Sequence, residues 1–287
     1  MKISLCNEMF QHWSLENQFE AFASWGYDGT ELAPFTLDPS LQRGQTFNVN
    51  LSNISESIVR RIHRISQRTG VVVSGFHWIL AHTSGLHLVS SDKQVQENTT
   101  CYLAHLIRLC SELHGSYIVL GSPKQRNIPP TLERSEAEQN AVKVIEPLLP
   151  ILEKYNVNLA IEPLAPSETN FLTNSEETID FITRLGNPQH VCVHLDCKAM
   201  AGGEYQSIPE VIERVNKTNP IATFHANDPN LQGPGFGTLD FHPIIHALQK
   251  ALFHGWIGIE PFDYTPGITK LGNRSISYLR GIIENKI

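Results

Sequence analysis

Four short apolar segments of this chain each end in a residue able to ligate a metal: Leu159-Ala160-Ile161-Glu162, Val193-His194-Leu195-Asp196, Thr223-Phe224-His225 and Ile257-Gly258-Ile259-Glu260. The separations of 34, 29 and 35 residues are each about one strand plus one helix. Parallel strands placed side by side at that spacing would bring all four side chains to one rim, at similar height. A charged group ending an apolar strand costs on the order of several kcal/mol to bury unless it is paired or coordinates a metal. One such residue alone is most often a rim salt bridge or a capping group. Four in register, with Ile-Glu-Pro occurring twice, point instead to one divalent ion held by Glu162, Asp196, His225 and Glu260. Three carboxylates and one imidazole suit Mn²⁺ first and Mg²⁺ beside it, with Zn²⁺ and Co²⁺ as alternatives.

The elements that must position these residues are legible as short β-branched or apolar runs alternating with longer amphipathic stretches. Strands are expected at Ile3–Met9, Gly29–Pro34, Val71–Trp78, Tyr117–Gly121, Asn158–Leu164, Val191–Asp196, Ile221–Ala226 and Trp256–Phe262. Helices are expected at Glu16–Trp25, Ser55–Thr69, Gln94–Leu113, Ser135–Tyr155, Ser175–Leu185, Ile208–Asn216, Phe241–Leu252 and Ile276–Glu284. Eight right-handed βα units close into a (β/α)₈ barrel, a TIM barrel of the α/β class. No linker divides the chain, so residues 1–287 read as one domain. The long stretches Phe35–Leu51 and Ile79–Ser91 follow strands, where loops face the active site of such a barrel. An open doubly wound sheet would want a Gly-rich phosphate loop after the first strand, and Cys6-Asn7-Glu8-Met9-Phe10 is not one.

The net charge of −7 and the absence of any basic run beyond Arg60-Arg61 argue against nucleic acid as a partner. No apolar window is long enough for a membrane span, and the N-terminal segment is too polar for a secretory signal. The five scattered cysteines form no CxxC pair and read as thiols of a reducing, cytoplasmic compartment. A small polar molecule is the expected partner; a homo-oligomer is left open.

At GYDGTELAPF (26–35), GFHW (75–78), LGSPKQR (120–126), AIEPLAPSETNFL (160–172), HLDCKAM (194–200), FHANDPNLQGPGFG (224–237) and GIEPFDY (258–264) the chain resembles the sugar phosphate isomerases and epimerases of the xylose isomerase-like barrel superfamily. The resemblance covers nearly the whole chain. It implies a metal at Glu162, Asp196, His225 and Glu260, with Glu162 and Glu260 doubling as the acid/base pair on opposite faces of a sugar. The chemistry is coherent. A metal chelating a ketone and its neighbouring hydroxyl acidifies the C–H between them and stabilises the enediolate, so that two carboxylates can remove a proton and return one. The expected activity is a metal-dependent isomerase or epimerase of a small sugar, sugar phosphate or related polyhydroxy carbonyl compound. A dehydratase of keto-inositols using the same site, or a non-catalytic barrel, is the alternative.

Further candidates for substrate contact are His77, at the end of the third strand; Glu168, six residues past Glu162; Lys198; Asp228, just past His225; and Arg126, with Lys124 beside it, for an anionic group. Each has a plainer reading, a buried core histidine for His77 and a solvated loop charge for the others. The ketose 3-epimerases of the superfamily carry a His three residues after the metal Asp and an Arg six after the metal His, where this chain has Ala199 and Leu231. That departure puts ordinary ketose 3-epimerisation in doubt and favours a substrate with an anionic group near Lys198 or Arg126. Endonuclease IV, a remote member, needs histidines where this chain has Ala199 and Asn230, which sets the nuclease reading aside. His194, two residues before Asp196, shares its inward direction and is expected to hydrogen-bond a ligand carboxylate. Asp240 is expected to cap the helix that follows the glycines at 233–237.

Overall fold

A computed structural model describes residues 1–37 and 54–284. Eight parallel strands, β1 (Lys2–Cys6), β2 (Gly29–Leu32), β3 (Val72–Phe76), β4 (Tyr117–Leu120), β5 (Asn158–Ile161), β6 (Val191–Asp196), β7 (Ile221–Ala226) and β8 (Trp256–Ile259), pair in sequence order. β1 also pairs with β8, with Ile3 opposite Ile257, and this contact closes the barrel. Among the described residues the helices are α1 (Leu15–Trp25), α2 (Glu56–Thr69), α3 (Lys93–Glu112), α4 (Arg134–Ile145), α5 (Leu149–Tyr155), α6 (Ser175–Arg184), α7 (Cys197–Gly203), α8 (Ile208–Thr218), α9 (Phe241–Lys250) and α10 (Ile268–Glu284). The expected (β/α)₈ barrel is the fold. None of these helices is long and apolar enough to cross a membrane.

The ends of the helices follow from their sequences. Ser14 accepts from Asn17 N at the start of α1, and Gly26, at φ 89°, ends it in the left-handed conformation that glycine adopts without strain. Ser207 and Glu210 form a reciprocal capping box on α8, and Asp240 caps α9 as expected. The single helix expected over 135–155 is instead two, joined by a 3₁₀ turn at Glu146–Leu148. Pro147 lacks the amide hydrogen that a continuous helix needs there. The first strand stops at Cys6 rather than Met9 because the Asn7 side chain binds Thr36 Oγ1 and Ala33 N, bending the chain into a 3₁₀ turn over Glu8–Phe10. Two helical segments are new relative to the sequence reading: α7, and the first two turns of α10. Most of the long loop expected at 35–51 lies outside the described residues.

The main apolar core lies between strands and helices, and a smaller one fills the N-terminal end of the barrel with Tyr117, Val119, Ala160 and, against them, Trp256. Two glycines make that filling fit. A Cβ on Gly29 would lie 2.8 Å from the Trp256 ring, and one on Gly75 would lie 2.7 Å from the Tyr117 ring. Above this plug the interior becomes polar, with Glu31, His194 and His225 all buried. That transition sets the floor of the site.

Candidate metal and substrate site

Register brings the four strand-end residues together. Asp196 on β6 pairs opposite His225 on β7, and Gly258 on β8 pairs opposite His225, so Glu260 stands just beyond them. Glu162 directly follows β5. Ligand atoms of Asp196, His225 and Glu260 lie within 4.8 Å of one another, as do those of Glu162, His194 and His225. His225 Nδ1 is 2.9 Å from Glu260 Oε2 and 4.0 Å from Asp196 Oδ2. Asp196, His225 and Glu260 thus form one cluster, and Glu162 joins it through His225.

Each carboxylate is held from behind. Asp196 caps α7, its Oδ1 accepting from Ala199 N at 2.7 Å, while Oδ2 accepts from Asn227 Nδ2 at 2.5 Å. Glu260 Oε1 accepts from Trp78 Nε1 at 2.8 Å. Glu162 leans over Gly121, where a Cβ would collide with its Oε2. We therefore expect Gly121→Ala to fold, since Gly121 has no positive φ, but to push the Glu162 carboxylate aside. Divalent-ion affinity, read by titration calorimetry, should fall by roughly tenfold or more, in line with losses from displaced ligand supports; unchanged affinity would mean that Glu162 does not need this position.

Three carboxylates at one place repel one another. Burial raises the pKa of Glu162 well above the usual carboxylate range, and the charges of Asp196 and Glu260 add to it. Burial, then Glu260, pushes Asp196 up to about 6. Burial also acts against the charge on Glu260, but His225 and the Trp78 hydrogen bond outweigh it and hold this group at about 2. Burial likewise opposes charge on His225, yet Glu260 and Glu31 raise its pKa well above the usual imidazole value. Without a metal, the His225 imidazolium, with Arg126 beside Glu162 and Lys198 beside Asp196, offsets the carboxylate charges.

Glu162 and Glu260 both reach the wall of a cavity of about 600 Å³ at the C-terminal mouth of the barrel. The loop after β3 supplies Trp78, Ala81, His82, Thr83 and Ser84 to that wall. Trp78 and His82 adopt left-handed backbone angles, φ 51° and 56°, that cost bulky residues on the order of 1–3 kcal/mol each. The conformation places the indole nearly parallel to both the His82 and the Phe262 ring, at 6.3 and 6.4 Å between centroids. An aromatic face suited to the C–H groups of a sugar stands beside the Glu260 carboxylate.

The remaining sequence candidates separate into two groups. Glu168 and Lys198 meet on the cavity wall in an ion pair of 2.6 Å, with the Lys198 ammonium 4.5 Å above the Phe262 ring. Arg126, His77 and Asp228 are buried and are absent from that wall. Arg126 lies behind Glu162, donating from Nη1 to the Glu162 carbonyl at 2.7 Å, while Nε and Nη2 find no partner. Its neighbour Lys124 does face the cavity, along with Gly121, Ser122, Pro123 and Gln125 of the same loop. His77 Nε2 lies 2.8 Å from Glu8 Oε2 beneath the site. Asp228 braces its own loop by accepting from Asn230 N and Leu239 N, and the bare Gly237 makes room for its carboxylate. His194 makes no hydrogen bond to a ligand carboxylate. Its ring packs edge-on against His225 at 4.2 Å between centroids, and burial, then the charges of His225 and His77, keeps it neutral.

Sequence reasoning assigned no role to Glu31 or Asn227, each of which binds one of the four central side chains directly. The sequence places Glu31 within the expected strand Gly29–Pro34, but its burial is evident only in the fold.

Comparison with known proteins agrees with the architecture. No curated protein matches the chain by sequence. Similar solved structures include D-psicose 3-epimerase in the presence of D-fructose, at TM-score 0.80 and 18% identity over 99% of both chains. A 3-keto-D-glucoside 4-epimerase from E. coli superposes at TM-score 0.79 and 17% identity, covering 98% of this chain and 99% of that one. The IOLI protein with a bound zinc atom superposes at 0.72 and 15% identity, covering 100% and 99%. These identities speak to the fold. The family pattern described as xylose isomerase-like TIM barrel matches residues 19–281, nearly the full length, and the chain belongs to that family.

Proposed function

We propose that this protein is a metal-dependent isomerase or epimerase of a small polyhydroxy carbonyl compound, acting by proton transfer at the carbon next to the carbonyl. The observation that carries the proposal is the placement of Glu162 and Glu260 on the wall of one cavity, with Asp196 and His225 within ligand distance behind them. The donor set fits a divalent cation: Asp196, His225 and Glu260 offer two carboxylates and an imidazole within 4.8 Å of one another, and the Glu162 carboxylate lies within the same distance of His225. Glu162, Asp196, His225 and Glu260 would hold the ion, with Mn²⁺ as our first choice. When bound, it supplies Lewis-acid polarisation of a substrate carbonyl, which acidifies the neighbouring C–H.

The chain's own residues do the rest. One of the two glutamates accepts the proton from that carbon on its Oε atom, and the other, or the same one, returns a proton. Trp78 and Phe262 pack the apolar face of the sugar and exclude water. The Glu168–Lys198 pair offers an acceptor and a donor to hydroxyls. Lys198 is already neutralised by Glu168 and Arg126 is buried, so an anionic substituent would meet Lys124, which has no carboxylate partner among the described residues. The relatives support the reading, since psicose 3-epimerase and 3-keto-D-glucoside 4-epimerase share the fold.

The test is incubation of the Mn²⁺-loaded protein with a panel of ketoses, ketose phosphates and keto-inositols in D₂O, read by NMR. We expect one solvent deuterium at the carbon α to the carbonyl of the product. An active enzyme whose product carries none would overturn proton transfer, and an enone product would make the enzyme a lyase.

A further inference from the structure

Glu31 lies on β2, across the barrel from His225 on β7, and is fully buried. Its Oε1 is 3.0 Å from His225 Nε2, and its Oε2 accepts from the Tyr117 hydroxyl at 2.6 Å, which is itself 3.1 Å from Ser74 Oγ. No lysine or arginine pairs with this carboxylate among the described residues; its only charged neighbours are His225 and, at 4.0 Å, His77. The strand facing the pair is bare, because a Cβ on Gly258 would approach Glu31 Oε2 to 3.0 Å and the His225 ring to 2.8 Å. A carboxylate carried to this depth needs a donor on each oxygen, and it has two: a phenol and an imidazole.

That arrangement has a consequence for the ring. A carboxylate only accepts, so Nε2 carries a proton; Nδ1, 2.9 Å from Glu260 Oε2 and protonated as well in the metal-free imidazolium, is the nitrogen that a cation among Asp196 and Glu260 would take over. We infer that Glu31 is a positioning residue for the metal centre: it commits the Nε2 proton of His225, fixes the ring plane against rotation, and so presents the Nδ1 lone pair to the cation. This rests on the metal reading proposed above, and it gives a role to the GYDGTELAPF segment that the catalytic proposal leaves without one. Carboxylate partners of this kind also raise the basicity of the ligating nitrogen, and their loss typically weakens metal binding by about 10–100-fold.

Zn²⁺, which is diamagnetic, serves as the probe. Its dissociation constant is measured by chelator competition in wild type, Glu31→Ala and Glu31→Gln, together with the ¹⁵N-edited NMR signal of the His225 ring N–H in the loaded protein. We expect a slowly exchanging Nε2–H in wild type. In Glu31→Ala that signal should be lost to exchange and Zn²⁺ affinity should fall by about 10–100-fold. Glu31→Gln keeps an acceptor but not the charge, so it should retain the Nε2–H signal, shifted upfield, with an intermediate loss of affinity. A merely structural Glu31 would lower thermal stability while leaving the affinity of the folded protein and the ring signal unchanged, and that result overturns the inference. Should the alanine variant not fold, an unaltered affinity and ring signal in Glu31→Gln overturns it equally. Wild-type protein that binds no Zn²⁺ would instead remove the metal reading itself, and this inference with it.

Discussion

Glu162→Gln and Glu260→Gln should each lower kcat by about 10²–10⁴-fold, the range contributed by a positioned general acid or base, and both should remain folded. The expectation of an intact fold is electrostatic. Glu162 is raised well above the carboxylate range by burial and by Asp196 and Glu260, so the metal-free chain holds its charge at a cost. An amide of the same shape removes the repulsion and still fits over Gly121. Metal-free Glu162→Gln should therefore melt no lower than metal-free wild type. Glu260→Gln keeps an oxygen for Trp78 Nε1 but exchanges the partner of His225 for a neutral one, so a modest loss of stability is expected there. Full activity in either variant would dismiss that glutamate from proton transfer, while a collapse of metal-free Glu162→Gln would make it a structural residue.

The sequence makes the barrel legible because period and punctuation agree: each strand is a short apolar run and each helix has a wide apolar stripe, so topology follows from order alone. Metal-capable residues at βα spacing are legible for the same reason, since strand ends in a parallel barrel share a rim. What escapes is contact between elements remote in the chain. Glu31 and His225 are 194 residues apart, and Trp78 and Glu260 are 182 apart. Nothing local distinguishes a strand glutamate that crosses the barrel from one that caps a rim. Arg126 and Asp228 mislead in the opposite way: charged loop residues beside a site read as substrate contacts, yet one supports the Glu162 backbone and the other braces its own loop through two backbone amides. The direction in which a loop side chain turns depends on which carbonyls and amides lie unpaired near it, and that is a tertiary fact.

The cluster also makes stability depend on pH in opposite senses with and without metal. Asp196 and Glu162 take up protons more readily folded than unfolded, so each contributes stability to the metal-free protein at low pH that is lost as pH rises, for Asp196 between about 4 and 6. The raised His225 acts in the same direction above the usual imidazole range, losing its contribution as pH rises through its folded value. Metal binding requires those carboxylates ionised and Nδ1 free, so stabilisation by metal grows as pH rises. At pH 7.5, with ion at about 100 times its dissociation constant, the stabilisation is about 3 kcal/mol, or roughly 5 °C in Tm for a chain of this size. Below about pH 5 the loaded and metal-free melting curves should converge. Curves separated by the same interval at both pH values would mean that the ion does not sit among titrating ligands.

Metal stoichiometry tests the account most directly. Elemental analysis after equilibration with Mn²⁺ at pH 7.5 and removal of excess should give about one ion per chain in wild type, from one set of four protein ligands. The comparison is Asp196→Asn, which keeps the α7 cap, since Asn accepts from Ala199 N as Asp does. It should fold, hold less than about a tenth of the metal under the same conditions, and lose activity with it. Wild-type protein that retains no ion and is not stabilised by Mn²⁺, or a folded Asp196→Asn that retains a full equivalent, would contradict the site built from Glu162, Asp196, His225 and Glu260.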